Sequence, residues 1–272
     1  MRRIAVFVII CFTLTSWKID KQGPWVITKG ERVTLYTRPI NYSESDSPDS
    51  LTIQKIIIEQ ENVINYINDR LNTDYQSKVK IYLYNLDEAN EKSGIYGGRS
   101  KSNIFKRHIY VTYRNNPILN TINNQFVYLG VHEMVHIIAD NQFGRGTTRF
   151  FGEGYANALS GNYGTKKQGD IMVFKSNDST LVDLINLDKF CLPSDLIDND
   201  FLPAQEYYPQ IGCLVNWMLT TYGADKINQL YNIKRTDIKK EFEIVTGVSF
   251  EEMENTYLEY CNTITGANSL KM

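Results

Sequence analysis

The chain has 272 residues, 42% of them hydrophobic, enough to bury one large domain or two closely packed lobes. Charged residues make up 22% and the formal net charge is −2. That balance excludes a strong field for recruiting nucleic acid or an anionic membrane surface.

The first twenty residues differ in character from the rest of the chain. Arg2 and Arg3 form a positive start, and Ile4 to Leu14 form an apolar run broken only by Cys11 and Thr13. A run of this length matches the apolar region of an export signal and is too short to span a bilayer. Thr13, Thr15 and Ser16 offer small residues for cleavage, though not in an A-x-A pattern. Residues 1–19 therefore read as a signal peptide or N-terminal anchor, and the protein as exported, whether periplasmic, held in the cell envelope or secreted. Membrane attachment is expected through this segment alone. The bulky Ile10 before Cys11 argues against a lipid on that thiol. Without the leader, Cys191, Cys213 and Cys261 remain, with no C-x-x-C spacing, so a cysteine metal site is not expected. They read as small buried hydrophobes, with room for one disulfide in an oxidising compartment.

Residues 20 to 50 are polar and irregular, with short strands at Trp25 to Thr28 and Val33 to Tyr36 and a Ser/Asp-rich linker from Ser43 to Ser50. Ser50 caps an amphipathic helix from about Leu51 to Leu71, with Ile53, Ile57, Val63, Ile64 and Ile67 near helical spacing. Lys78 to Tyr84 alternates as a strand does. Gly94, Gly97 and Gly98 mark a loop, and Ile104 to Tyr113 is a second strand that could serve as the edge for an extended substrate. Gln125 to Asn141 is a helix apolar almost all round, hence buried. A shorter helix, Phe150 to Leu159, follows the Gly144-Arg145-Gly146 turn, and Gly161 to Gly169 is a loop. The C-terminal third reads as all helix: Tyr208 to Tyr222, Ala224 to Tyr231, Ile238 to Thr246 and Phe250 to Ile264. Gly223, Gly247 and Gly266 fit helix ends.

The chemistry concentrates in His132-Glu133-Met134-Val135-His136, an H-E-x-x-H segment inside the buried helix. Residues i and i+4 share a helix face, so both imidazoles can reach one zinc ion. The chain has only 3 histidines, and two of them fall here. Two imidazoles and a carboxylate on an otherwise apolar helix are costly to bury without a purpose. A third ligand must come from a neighbouring element. His108 reads as a solvent-facing strand residue. With no histidine downstream, a metzincin-type H-E-x-x-H-x-x-G-x-x-H site is excluded. Glu153, 17 positions beyond His136, opens the next helix and can turn back alongside the first.

HEMVHIIAD followed by FFGEGYANALSG resembles the gluzincin metallopeptidases, the broad class of thermolysin and the M1 aminopeptidases. It is most similar to the bacterial peptidase-MA-like group, whose second helix often reads W-x-x-E-G-x-A. EYYPQIGCLVNWMLTTYG and GVSFEEMENTYLEYC resemble later segments of that group, so the likeness covers about residues 78 to 262. The resemblance implies a single zincin-like α+β catalytic domain over residues 20–265. A small mixed sheet would pack on the active-site helix in an N-terminal lobe of about 20–143. A mainly helical lobe would occupy about 144–265, with the cleft between them. It implies one zinc ion per chain on His132, His136 and Glu153. Two departures stand out. Phe150 and Phe151 occupy the place of the usual Trp, and Asn157 stands where thermolysin-like sequences carry an Asp that orients a zinc histidine. Asp140, four residues beyond His136, is a second candidate for supporting that ligand.

The reaction expected is peptide-bond hydrolysis, with Glu133 taking a proton from the zinc-bound water and passing it to the leaving amine. Related enzymes add a Tyr or His donor from the helical lobe. Tyr208 is the choice here and Tyr207 the reserve. The partner is a peptide or protein substrate. The alternative is a catalytically idle metallopeptidase-like module that binds in the envelope, against which the intact Glu133 argues.

Overall fold

The computed structural model describes residues 25–37, 50–84, 98–103, 106–112, 131–168, 171–198 and 202–266. The leader, most of the Ser/Asp-rich linker and the first turns of the predicted 125–141 helix lie outside these residues. The fold is α+β. Among the described residues no helix is long and apolar enough to cross a membrane.

One mixed sheet holds five strands: β1 (Val26–Lys29), β2 (Val33–Thr37), β3 (Val79–Tyr84), β4 (Gly98–Asn103) and β5 (Lys106–Thr112), in the order β1-β2-β3-β5-β4. The central β2, β3 and β5 are parallel, and an antiparallel strand closes each side. Alternation works as the sequence predicts. Val33, Leu35, Val79, Ile81, Leu83 and Ile109 all point to one buried face. That face receives α1 (Ser50–Leu71), which turns Ile56, Ile57, Val63, Ile64, Ile67 and Leu71 toward it. A buried lock fixes the two layers. Glu61 on α1 accepts from the backbone N–H groups of Arg32 (2.6 Å) and Val33 (2.9 Å) and pairs with the Arg32 guanidinium at 3.0 Å.

Two expectations about this sheet need correction. The segment at Gly98 is a strand, not a loop, and β5 is therefore not an edge, because β4 occupies its outer side. Among the described residues, the edge beside the motif helix is β4. Its sequence GRSKSN has no apolar alternation, so its strand conformation comes from pairing with β5 and not from its own side-chain pattern.

The motif helix α2 (Val131–Phe143) lies against β4, β5 and α1. It buries Val131, Met134, Val135, Ile137, Ile138 and Ala139. A turn containing Gly144 at φ 85° leads to α3 (Arg149–Ser160), whose N-cap Thr148 accepts from the Phe151 N–H.

The C-terminal part contains α4 (Asn177–Asn186), α5 (Pro193–Asp198), α6 (Ala204–Tyr222), α7 (Ala224–Ile227), α8 (Ile238–Thr246) and α9 (Phe250–Thr265). It is not all helix. A two-stranded ribbon, β6 (Asn162–Gln168) and β7 (Ile171–Lys175), replaces most of the predicted 161–169 loop. NYGTKKQ is as polar as β4, and the same cause hides it. α6 begins four residues before the predicted Tyr208 and carries Pro209 inside it. Gly223, Gly247 and Gly266 do end helices, all with positive φ. Cys191, Cys213 and Cys261 are free thiols, so the expected room for a disulfide is not used among them. Many aromatics are core. Tyr75, Tyr155, Tyr207, Tyr231 and Tyr257 are all at most 1% exposed.

Candidate metal centre

Helices α2 and α3 pack side by side, and α3 crosses α6 closely. The crossing is set by Gly154. A Cβ there would fall 2.7 Å from Val215 Cγ2. This contact seats α3 so that its other face, one residue away, looks along α2. Residues His132, Glu133 and His136 occupy the half-buried stripe of α2, and Glu153 the facing stripe of α3.

The three predicted ligands converge. His132 Nε2 and His136 Nε2 are 3.2 Å apart, with the rings edge-to-face at 4.9 Å. Glu153 Oε2 lies 3.2 Å from His132 Nε2 and 3.7 Å from His136 Nε2. Their side chains are 25%, 18% and 24% exposed for His132, His136 and Glu153. No other group of three His, Cys, Asp or Glu among the described residues comes together in this way. Glu153 Oε2 is buried and accepts no well-directed hydrogen bond, despite the short distances to both rings. A buried carboxylate oxygen met only at poor hydrogen-bond geometry is costly unless something cationic meets it. Three lone-pair-bearing atoms turned to one point can hold a divalent cation.

The electrostatics of the three groups are coupled. At His136, burial opposes the charged form, but Glu153 outweighs it, with Glu133 and Asp140 adding, so the imidazole pKa is raised. At Glu153, burial opposes ionisation, but His132 and then His136 hold the carboxyl far below the usual range.

The structure separates the two tyrosines. Tyr207 is fully buried, and its hydroxyl donates to the Leu196 carbonyl at 2.8 Å, so it cannot serve the centre. Tyr208 is half-buried. Burial, then the Glu153 charge, raise its hydroxyl pKa against the lowering effect of Arg149, and its ring lies 4.8 Å from the Arg149 guanidinium, one turn before Glu153 on α3. Asp140 plays a different part from the one expected. Its Oδ1 accepts from the Gly146 N–H at 3.2 Å and from the Tyr231 hydroxyl at 3.0 Å, tying the α2–α3 turn to the helical lobe. Asn157 donates from Nδ2 to the Glu153 carbonyl at 2.8 Å and so braces the ligand's own helix. His108 is half-buried and packs on the Tyr82 ring at 5.4 Å, away from the cluster.

Sequence reasoning missed Arg149. It stands one turn before Glu153 on the same helix face, a spacing visible in the sequence. Its guanidinium lies 4.8 Å from both the Tyr207 and Tyr208 ring centres and donates to the Leu202 carbonyl at 3.1 Å. Also missed was a cavity of about 300 Å³ beside the cluster, bordered by His136 and Glu153 on one side and Tyr231 on another.

No protein-family model and no curated protein matches this chain.

Proposed function

We propose that the chain is a zinc metallopeptidase of the gluzincin type, zincin-like in fold and exported through its N-terminal segment, cleaving peptide bonds with Glu133 as general base and acid. The convergence of His132, His136 and the buried Glu153 carboxylate on one point carries this reading. Zinc bonds of roughly 2.0–2.1 Å at the tetrahedral angle put ligand atoms about 3.4 Å apart. The separations of 3.2, 3.2 and 3.7 Å bracket that spacing. A bound zinc ion would supply Lewis-acid polarisation of the scissile carbonyl and make water more acidic.

The protein's own groups carry the proton. Glu133 adjoins His132 and shares the partly open stripe of α2. It removes a proton from the attacking water and returns it to the departing amine nitrogen. Tyr208 donates its hydroxyl hydrogen to the carbonyl oxygen as charge grows there, and its raised pKa keeps that hydrogen in place. The Arg149 guanidinium fixes the Tyr208 ring. The edge strand β4 can take an extended peptide by strand addition.

Metal analysis of the purified protein, a broad peptide-library digest and the Glu133→Gln variant test the proposal. Stoichiometric zinc with cleavage that Glu133→Gln abolishes is the expected result. Zinc without cleavage of any peptide would favour an idle binding module. Cleavage that survives Glu133→Gln would defeat the mechanism.

A further inference from the structure

The cavity beside the cluster is continuous with the ligand residues His136 and Glu153, and two arginines, Arg145 and Arg149, line it. Arg145 is exposed on the α2–α3 turn, and Arg149 opens α3. Both keep their positive charge at any working pH. Two acidic groups, Asp140 and Glu153, share the lining. Asp140 accepts from Gly146 and Tyr231. In the peptidase reading Glu153 is a metal ligand, so its charge is met there and by the two imidazoles beside it. A cationic group entering here would meet two guanidiniums against one remaining carboxylate, Asp140, whose charge its neutral donors leave in place. An anionic group would meet matching charge.

Gly152 lies on the cavity wall, and a Cβ placed there would find no atom within 4 Å. This contrasts with Gly154, two residues on, where the same atom would strike Val215. A glycine in a helix interior costs about 0.5–1 kcal/mol relative to alanine, so an open one is a departure from what stability alone favours.

We propose that this cavity is a substrate subsite for a carboxylate next to the scissile bond, recognised by Arg145 and Arg149. The proposal rests on the peptidase reading and deepens it, since it names the substrate class. The carboxylate has two sources, an acidic side chain or the free C-terminus of a short peptide. Recognition of a free N-terminal amine in this cavity is disfavoured by the same charges.

The test compares kcat/KM on matched peptides with the zinc-loaded full chain. One set is C-terminally amidated and carries Glu, Gln or Leu next to the cleaved bond. The other carries Leu there and ends in either a free carboxylate or an amide. A preference of about tenfold or more for the carboxylate in at least one set is expected, the usual scale for a charge-assisted hydrogen bond. Which set shows it identifies the source. Arg145→Gln should shrink that ratio, and Arg145→Glu should turn it toward Lys-bearing peptides. Arg145 is on an exposed turn, so these variants test recognition without disturbing the core. Equal rates on acidic and amide peptides, or a ratio unmoved by both variants, would overturn the inference while leaving the peptidase standing. If no peptide is cut, equilibrium titration with N-acetyl-glutamate and N-acetyl-glutamine decides. Carboxylate-selective binding lost in Arg145→Gln upholds the subsite, and binding without selectivity, or none, overturns it.

Discussion

The two faces of α3 show how one short helix serves packing and chemistry at once. Its inner face carries Phe150, Phe151, Gly154, Tyr155 and Ala158, all buried, and meets α6 at a distance only glycine permits. Its outer face carries Arg149, Gly152 and Glu153, all half-buried, and meets the imidazoles and the cavity. The inner face is closed by apolar contact and satisfied hydrogen bonds. The outer face turns a buried carboxylate oxygen toward two imidazoles and leaves open space where a Cβ of Gly152 would stand. A position whose local rules are broken beside one where they are obeyed is a mark of function.

The comparison can be broken by substitutions on each face. The largest effect is expected at the outer face. Glu133→Gln should lower kcat by about 10²–10⁴-fold, the usual worth of a general base, with zinc content and melting temperature kept. Unchanged turnover would remove Glu133 from the mechanism.

The two adjacent tyrosines should respond in opposite currencies. Tyr208→Phe should lower kcat by about 10²-fold with little change in stability. Tyr207→Phe should leave turnover of the folded protein alone and cost roughly 1–3 kcal/mol in denaturant unfolding, because the buried Leu196 carbonyl loses its donor. If Tyr207→Phe alone reduces turnover, the assignment is reversed.

Smaller still is the contrast between the glycines that flank Glu153. Gly154→Ala should destabilise by about 1–3 kcal/mol through overpacking against Val215. Gly152→Ala should stabilise by up to about 1 kcal/mol, since it gains helix propensity and strikes nothing. Thermal melts of the two variants side by side check this, and shifts of the same sign would sink it.

The smallest effect concerns the metal-free protein. His136 has a raised pKa, so its contribution to stability is complete below its ordinary value of 6.5 and fades as pH rises through the raised one. Glu153 has a lowered pKa, so its contribution is present above its ordinary 4.5 and fades as pH falls toward the lowered one. Both act together between about pH 4.5 and 6.5, where the metal-free melting temperature should peak. Glu153→Gln should flatten the peak. A profile that rises steadily through pH 8 in the metal-free protein would contradict the pairing.

Much of the fold and the site is legible in the residues alone. The motif helix, the Glu153 helix, the α1 amphipathic stripe and the alternating strands β2 and β3 all announce themselves by period. The strands β4 and β6 do not, because their residues are polar on both faces and only their partners order them. Asp140 and Asn157 sit at spacings that suit a histidine support, and only the structure shows that they also bond to Gly146, Tyr231 and the Glu153 carbonyl.

Sequence alone picked out the histidine pair as candidate cation ligands, since an i, i+4 pair on a buried helix shares one face. Tertiary structure alone decided how the third carboxylate meets them, which tyrosine is tied into the core and which glycine is space and which is contact. The reason is physical. Period along a helix fixes direction within one element, whereas convergence between elements depends on how closely they pack, and here that closeness is set at α3 and α6 by the missing Cβ of Gly154.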